Sequence, residues 1–156
     1  MVPMKPLDTA EIGNTKLMVT RLGLGGAPIG ALSRNGNERV GHETLKRAFE
    51  LGVRYYDTAP LYGEGASERS FGEYLGSVPR HEFVLSTKVG RVLNDLNPNL
   101  ALAALPGRTG STEIVFDFSR DGIMRSVEDS LKRLGLDYID IALIHDPDDH
   151  YKEAIA

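Results

Sequence analysis

Four side chains capable of acid–base chemistry stand at or just after the predicted ends of successive strands. They are Asp57, Tyr62, Lys88 and His145. A phenol has a pKa of about 10 and is a poor acid or base at neutral pH, but a neighbouring ammonium group favours the phenolate. A carboxylate balances and orients that ammonium, and an imidazole holds a carbonyl or alcohol oxygen beside the phenol. Together the four side chains predict proton transfer at an oxygen while a hydride moves at the attached carbon.

Each of these residues has a simpler explanation when it is taken alone. A lysine or histidine that ends a strand is more often a solvated or boundary residue, and a tyrosine in a loop is more often surface or packing. Asp57 precedes Thr-Ala-Pro and fits a turn or a cap. The combination carries the prediction, because the C-terminal ends of parallel strands share one rim, where all four side chains converge.

The intervening sequence predicts strands that alternate with helices, and this alternation is typical of an α/β fold with a parallel sheet. Short runs of aliphatic, β-branched and aromatic residues predict strands over 16–19, 21–26, 53–58, 83–88 and 138–144. Apolar residues at helical spacing predict helices over 38–51, 67–76 and 120–134, with another beginning at 150. The first strand is expected to form half of a hairpin that turns at Gly13 and Asn14.

Particular residues refine these elements. Ser67 and Ser119 are predicted to cap the N-termini of two helices, and Gly135 is predicted to end the second one. The apolar strand over 138–144 is predicted to be buried on both faces. Residues 89–118 fit no regular period and predict a long loop with one short strand at 114–116.

The rim residues lie in segments that resemble the aldo-keto reductase family. These segments are Tyr-Asp-Thr-Ala-Pro-Leu-Tyr-Gly at 56–63, Ser-Thr-Lys-Val-Gly at 86–90 and Leu-Ile-His at 143–145. The resemblance implies a (β/α)8 barrel and an oxidoreductase that moves a hydride between NAD or NADP and a small carbonyl, alcohol or aldose.

The same resemblance implies a role for each rim residue. Tyr62 is the general acid or base, Lys88 tunes its acidity, Asp57 pairs with the lysine and His145 orients the substrate. Gly26 and Ala27, together with Asp57, are implied to lie near the nicotinamide of the cofactor.

A narrower resemblance concerns the segments at 117–122, 130–135 and 145–150. They are similar to the branch that contains D-threo-aldose (L-fucose) 1-dehydrogenases and pyridoxal 4-dehydrogenases. This branch implies NAD-linked oxidation of a sugar at C1 to a lactone, or oxidation of a related small alcohol.

The sequence of 156 residues accounts for about four βα units, whereas a closed eight-stranded barrel needs roughly 200 residues or more. We therefore expect residues 1–156 to form the N-terminal half of a TIM barrel with a short N-terminal hairpin, the second half being absent from this sequence. Open sheet edges favour pairing, so the partner is expected to be a second copy or the missing C-terminal half. This half is expected to be inactive alone, and the alternative function is a non-catalytic binding, regulatory or assembly subunit.

Composition argues against several other classes of protein. The net charge of −4 gives no basic face for nucleic acid. The absence of cysteine excludes a disulfide scaffold and thiolate chemistry. No apolar run approaches the ~20 residues of a membrane span, and the N-terminus lacks the apolar core of a signal peptide. These features predict a cytoplasmic protein with no membrane partner.

Two other segments bear a partial likeness to known kinds of site. A dinucleotide-binding Gly-x-Gly-x-x-Gly motif would start at Gly23, but its third glycine is replaced by Pro28. A metal site is suggested by the acidic and histidine residues over 145–150. An acidic turn around Pro147 is the favoured explanation of that segment, and no metal is predicted.

Overall fold

A computed structural model describes residues 5–95 and 112–155. The strands are β1 Thr9–Glu11, β2 Met18–Thr20, β3 Gly23–Gly25, β4 Tyr55–Asp57, β5 Val84–Val89, β6 Arg91–Asp95, β7 Thr112–Phe116 and β8 Ile141–Ile144. The α-helices are α1 Ala27–Arg34, α2 Glu38–Glu50, α3 Ala66–Leu75, α4 Arg120–Leu134 and α5 Tyr151–Ala154. Short 3-10 helices cover Arg80–Glu82 and Pro147–His150.

The central element is a parallel sheet of four strands in the order β3-β4-β5-β8. Gly25 lies opposite Asp57, Asp57 opposite Ser86, and Lys88 opposite Leu143. Because side chains alternate between the two faces of a strand, this register places Asp57, Ser86 and Lys88 on one face. The predicted α/β class and parallel sheet are confirmed.

The hydrophobic core lies on the other face of the sheet, beneath the helices. Tyr56 of β4 and Leu85 of β5 are fully buried there against Phe71 and Leu75 of α3. Ile29, Leu45, Val53, Phe83 and Leu134 complete this cluster. The Tyr56 hydroxyl donates to the Val53 carbonyl at 3.0 Å, and burial raises the pKa of this phenol. Tyr56 is therefore a packing residue, whereas its neighbours Tyr55 and Asp57 point to the opposite face.

The N-terminal hairpin is confirmed as β1 paired antiparallel with β2. The predicted ends of α4 are confirmed too, since the Ser119 hydroxyl accepts from the Gly122 amide at 3.1 Å and Gly135 is left-handed with φ +63. The predicted cap at Ser67 is wrong. The helix begins one residue earlier after Gly65, and Ser67 donates inside the fold to the Gly26 carbonyl.

The structure differs from the sequence predictions in three further places. Helix α1 was not predicted, because Pro28 and Gly30 weaken its pattern, although proline is accepted in a first helical turn. The region read as a loop with one strand contains two paired strands, β6 and β7. The last strand is not buried on both faces: Leu143 and Ile144 are exposed, since β8 pairs only with β5 among the described residues. Part of the predicted loop, residues 96–111, lies outside the described residues.

Candidate active site

Asp57 and Lys88 form an ion pair at the C-terminal edge of β4 and β5. Lys88 Nζ donates to Asp57 Oδ2 at 2.7 Å and to the Thr58 carbonyl at 3.1 Å. Burial acts to lower the pKa of Lys88, but the hydrogen bonds and charges of Asp57 and Tyr62 outweigh it and hold that pKa above its usual value. Lys88 is therefore a cation at neutral pH, held by two oxygens on one side.

Tyr62 lies on the other side of this cation. Lys88 Nζ is 4.7 Å from the centre of the Tyr62 ring. The loop that carries the tyrosine is fixed from behind by α1. Gly30 approaches so closely that a Cβ there would lie 2.6 Å from the Tyr62 carbonyl carbon, and Gly63 continues the turn with φ +64. The unpredicted helix α1 therefore positions the phenol.

His145 closes the arrangement at the end of β8. Its ring meets the Tyr62 ring edge-on, with 5.9 Å between the ring centres. Its amide donates to the Val89 carbonyl at 3.0 Å, which ties it to the end of β5. The side chain is only 5 % exposed, and among the described residues its Nδ1 has no hydrogen-bond partner. The structure thus brings together all four rim residues that the sequence singled out.

Arg91 is a neighbour of this site that the sequence did not indicate. Its guanidinium pairs with Asp146 at 2.6 Å, and the same carboxylate oxygen lies 3.5 Å from His145 Nε2. Burial is the main cause that lowers the pKa of His145, followed by the charge of Arg91, while Asp146 opposes them. His145 is therefore neutral at pH 7, and a neutral imidazole offers one donor and one acceptor nitrogen.

We expect the pKa of His145 to lie below the ordinary value of 6.5. An NMR pH titration that follows the ring carbon signals of His145 measures it. Arg91→Gln should raise the midpoint towards that value, and Asp146→Asn should lower it further, because the two charges act in opposite directions. The pKa of His145 is lower in the folded than in the unfolded protein. His145 therefore contributes stability that is fully present above the unfolded-state pKa and is lost as the pH falls through the folded-state pKa. A titration midpoint of His145 at or above 6.5 in the wild-type protein would contradict the conclusion that burial and Arg91 lower its pKa.

The predicted cofactor residues lie beside this rim. Ala27 is exposed at the start of α1, whereas Gly26 is buried. The Gly26 amide donates to the Asp57 carbonyl at 2.7 Å and its carbonyl accepts from Ser67 at 2.8 Å. Both backbone groups of Gly26 are thus occupied by the protein. Gly26 lies where the backbone comes close to Asp57 and Ser67, while Ala27 is exposed and accessible to a ligand.

A cleft of about 630 Å³ lies beside α1 and α3, lined in part by Glu38, Glu64 and Arg69, and includes none of the four rim residues. Its mixed charges point to no particular ligand. Over residues 5–95 and 112–155, no group of three or more potential metal ligands is found. In the same ranges no helix has the length and apolar character to cross a membrane.

Comparison with known proteins decides the family. Residues 21–156 match the sequence profile described as "Aldo/keto reductase family". The chain belongs to the aldo/keto reductase family. The four parallel βα units are therefore the N-terminal half of the TIM barrel of aldo/keto reductases, as the sequence predicted.

Two relatives agree with the narrower resemblance. The chain is 40% identical over 139 residues to D-threo-aldose 1-dehydrogenase of a Pseudomonas species, covering 86% of this chain and 42% of that protein. It is 36% identical over 152 residues to pyridoxal 4-dehydrogenase of Microbacterium luteolum, covering 92% and 44%. The chain thus spans less than half the length of these relatives.

Solved structures give the same family. The holo form of an aldo-keto reductase from Bacillus halodurans superposes with a TM-score of 0.70 at 30% identity, covering 96% of this chain and 44% of that one. An aldo-keto reductase from Klebsiella pneumoniae, solved in complex with NADPH, superposes with a TM-score of 0.51 at 25% identity, covering 82% and 36%. The family is one of NAD(P)-dependent oxidoreductases.

Proposed function

We propose that this chain supplies the proton-transfer residues of an NAD(P)-dependent aldose dehydrogenase, which oxidises the C1 hydroxyl of a cyclic sugar to a lactone. The observation that carries the proposal is Lys88 Nζ, held 2.7 Å from Asp57 and 4.7 Å from the Tyr62 ring centre. An ammonium group fixed beside a phenol favours the phenolate, which is the form able to accept a proton at neutral pH.

The chain's residues have separable roles in this reaction. His145, kept neutral by burial and by Arg91, hydrogen-bonds the reacting oxygen and holds it near Tyr62. Tyr62 takes the proton from the C1 hydroxyl during oxidation and returns it during reduction. Asp57 holds Lys88 in place, and the ammonium of Lys88 sets a positive charge beside the Tyr62 ring, where the phenol gives up or takes the proton. NAD(P), held beside Ala27, would supply the acceptor for the hydride that leaves C1.

Ala27 is the residue at this rim that we propose to contact the nicotinamide, since it is exposed beside the Asp57 end of β4. Gly26 supports that position from behind through its two backbone hydrogen bonds. The remaining contacts to the dinucleotide are proposed to come from the second half of the barrel.

The choice of a sugar rests on the similarity to D-threo-aldose 1-dehydrogenase at 40% identity. The test is an absorbance assay at 340 nm on the intact gene product, with L-fucose and with either NAD or NADP. We expect cofactor reduction that depends on the sugar. If NAD or NADP is reduced only with pyridoxal-type alcohols, the substrate is one of these and not a sugar. If the cofactor binds but no alcohol is oxidised, the chain belongs to a non-catalytic subunit and the proposal is overturned.

A further inference from the structure

Asp57 has a second buried partner besides Lys88. The Ser86 hydroxyl lies 2.7 Å from Asp57 Oδ1, while Lys88 holds the other oxygen, Oδ2, at 2.7 Å. Ser86 is fully buried and lies on the same strand and face as Lys88, two residues earlier. Each carboxylate oxygen therefore has its own donor, one charged and one neutral.

The Ser86 hydroxyl has further oxygens within reach. The Tyr55 hydroxyl lies at 3.2 Å and the Tyr56 carbonyl at 3.4 Å. A serine hydroxyl has one proton to donate and two lone pairs that accept. The shortest contact is with the carboxylate, and a bond to an ionised acceptor is the stronger one. The proton therefore goes to Asp57, and the Tyr55 hydroxyl is left to donate to Ser86.

We propose that Ser86 is a positioning residue for the Asp57–Lys88 pair, with Tyr55 as its hydrogen-bond support. By holding Oδ1, Ser86 prevents the carboxylate from rotating, so that Oδ2 stays directed at Lys88. The ammonium in turn stays directed at Tyr62. Ser86 is fully buried and acts through Asp57 rather than on a ligand, and this inference rests on the proposed function only for its catalytic consequence.

The charged and titratable groups that face Lys88 define the expected effect. Asp57 and Tyr62 favour its ammonium form, burial opposes it, and His145 lies beyond Tyr62. If the Asp57 carboxylate turns away, the opposing effect of burial dominates and the pKa of Lys88 falls. Ser86→Ala removes the donor to Asp57 Oδ1 and should produce this fall, by about one pH unit in the titration midpoint of Lys88, the size expected when the ammonium loses its hydrogen bond to Asp57.

The experiment follows the Lys88 side chain by NMR, with its signal assigned by its loss in Lys88→Arg. Ser86→Cys keeps a side chain of similar size with a weaker donor and should lower the midpoint even if Ser86→Ala does not fold. Ser86→Thr retains the hydroxyl and should restore the wild-type value. Tyr55→Phe should give a smaller fall. Ser126→Ala is the matched control, since Ser126 is buried and its hydroxyl has no partner among the described residues.

An unchanged Lys88 midpoint in both Ser86→Ala and Ser86→Cys would overturn the proposal, as would a fall of the same size in Ser126→Ala. In the active gene product, Ser86→Ala should also lower kcat about tenfold, as one lost charged hydrogen bond implies, with little change in KM. If the wild-type protein shows no turnover, the proposed function fails while the NMR result still decides the role of Ser86.

Discussion

Tyr62→Phe is expected to lower kcat of the intact gene product by about 100- to 10,000-fold, the range for losing a positioned acid or base. The phenol hydroxyl is the only group of Tyr62 that the substitution removes. The ring that packs against His145 at 5.9 Å remains, so KM and the melting temperature should change little. The measurement is the initial rate of NAD(P) reduction with L-fucose, together with thermal unfolding of both proteins.

Tyr74→Phe provides the control for this substitution. Tyr74 lies on α3, where its ring packs against His42 and Phe49 on the helical side of the sheet. Removing its hydroxyl tests the general effect of losing a phenol oxygen from the same protein. Tyr62→Phe with more than a tenth of the wild-type kcat would show that another group transfers the proton.

The candidate site was predictable because of where its residues stand relative to the strands. Asp57 ends β4, and Lys88 lies one residue before the end of β5. His145 follows directly after β8. In a parallel sheet these positions share one rim, so convergence follows from topology once strand order is correct. The strands of the parallel sheet stand side by side in the same order as in the chain. For this reason the sequence alone was enough to predict that the rim residues come together.

The partners that tune the site were not predictable in the same way. Arg91 reaches Asp146 across 55 positions of sequence, and Ser86 reaches Asp57 across 29. An arginine near the start of a predicted loop and a serine inside a predicted strand have no sequence pattern that signals such contacts. Only the register of β4 with β5 places Ser86 opposite Asp57.

Helix faces show where sequence periodicity is insufficient. The helix over 38–51 was predicted from residues at helical spacing, but Val40 and Leu51 are exposed and the buried residues of α2 are Gly41 and Leu45. Gly41 lies close to Ile29, where a Cβ would be only 3.2 Å from that side chain, and hydrophobicity alone does not identify a glycine at such a contact. The same reason explains the failure to predict α1, whose Gly30 contacts the Tyr62 backbone.

The second large effect concerns a buried carboxylate of α3 that contacts β5 next to Lys88. Glu68 of α3 is completely buried, and its two oxygens accept from Thr87 at 2.7 Å and from Arg133 at 2.5 Å. Arg133 lies in the last turn of α4, so the ion pair joins two helices to the strand that carries Lys88. A charge buried to this extent depends on its partner, since an unpaired buried charge is strongly unfavourable.

Arg133→Met is expected to lower the free energy of unfolding by about 3–5 kcal/mol, the cost of leaving one member of a buried pair alone. Urea unfolding followed by circular dichroism measures this change. Replacing both partners, as Arg133→Met with Glu68→Met, should recover most of the loss, because an apolar pair carries no desolvated charge. The recovery separates the electrostatic effect from loss of packing by the arginine stem.

Lys132→Met is the matched control on the neighbouring residue. Lys132 pairs with Asp129 at 2.9 Å, but its side chain is 73% exposed. An exposed pair of this kind contributes roughly 0–1 kcal/mol, so the control should change stability far less than Arg133→Met. Equal effects from the two variants would mean that water reaches Glu68 once Arg133 is removed. In that case apolar packing and the Thr87 hydrogen bond, and not the buried charge pair, would hold α3 and α4 against β5.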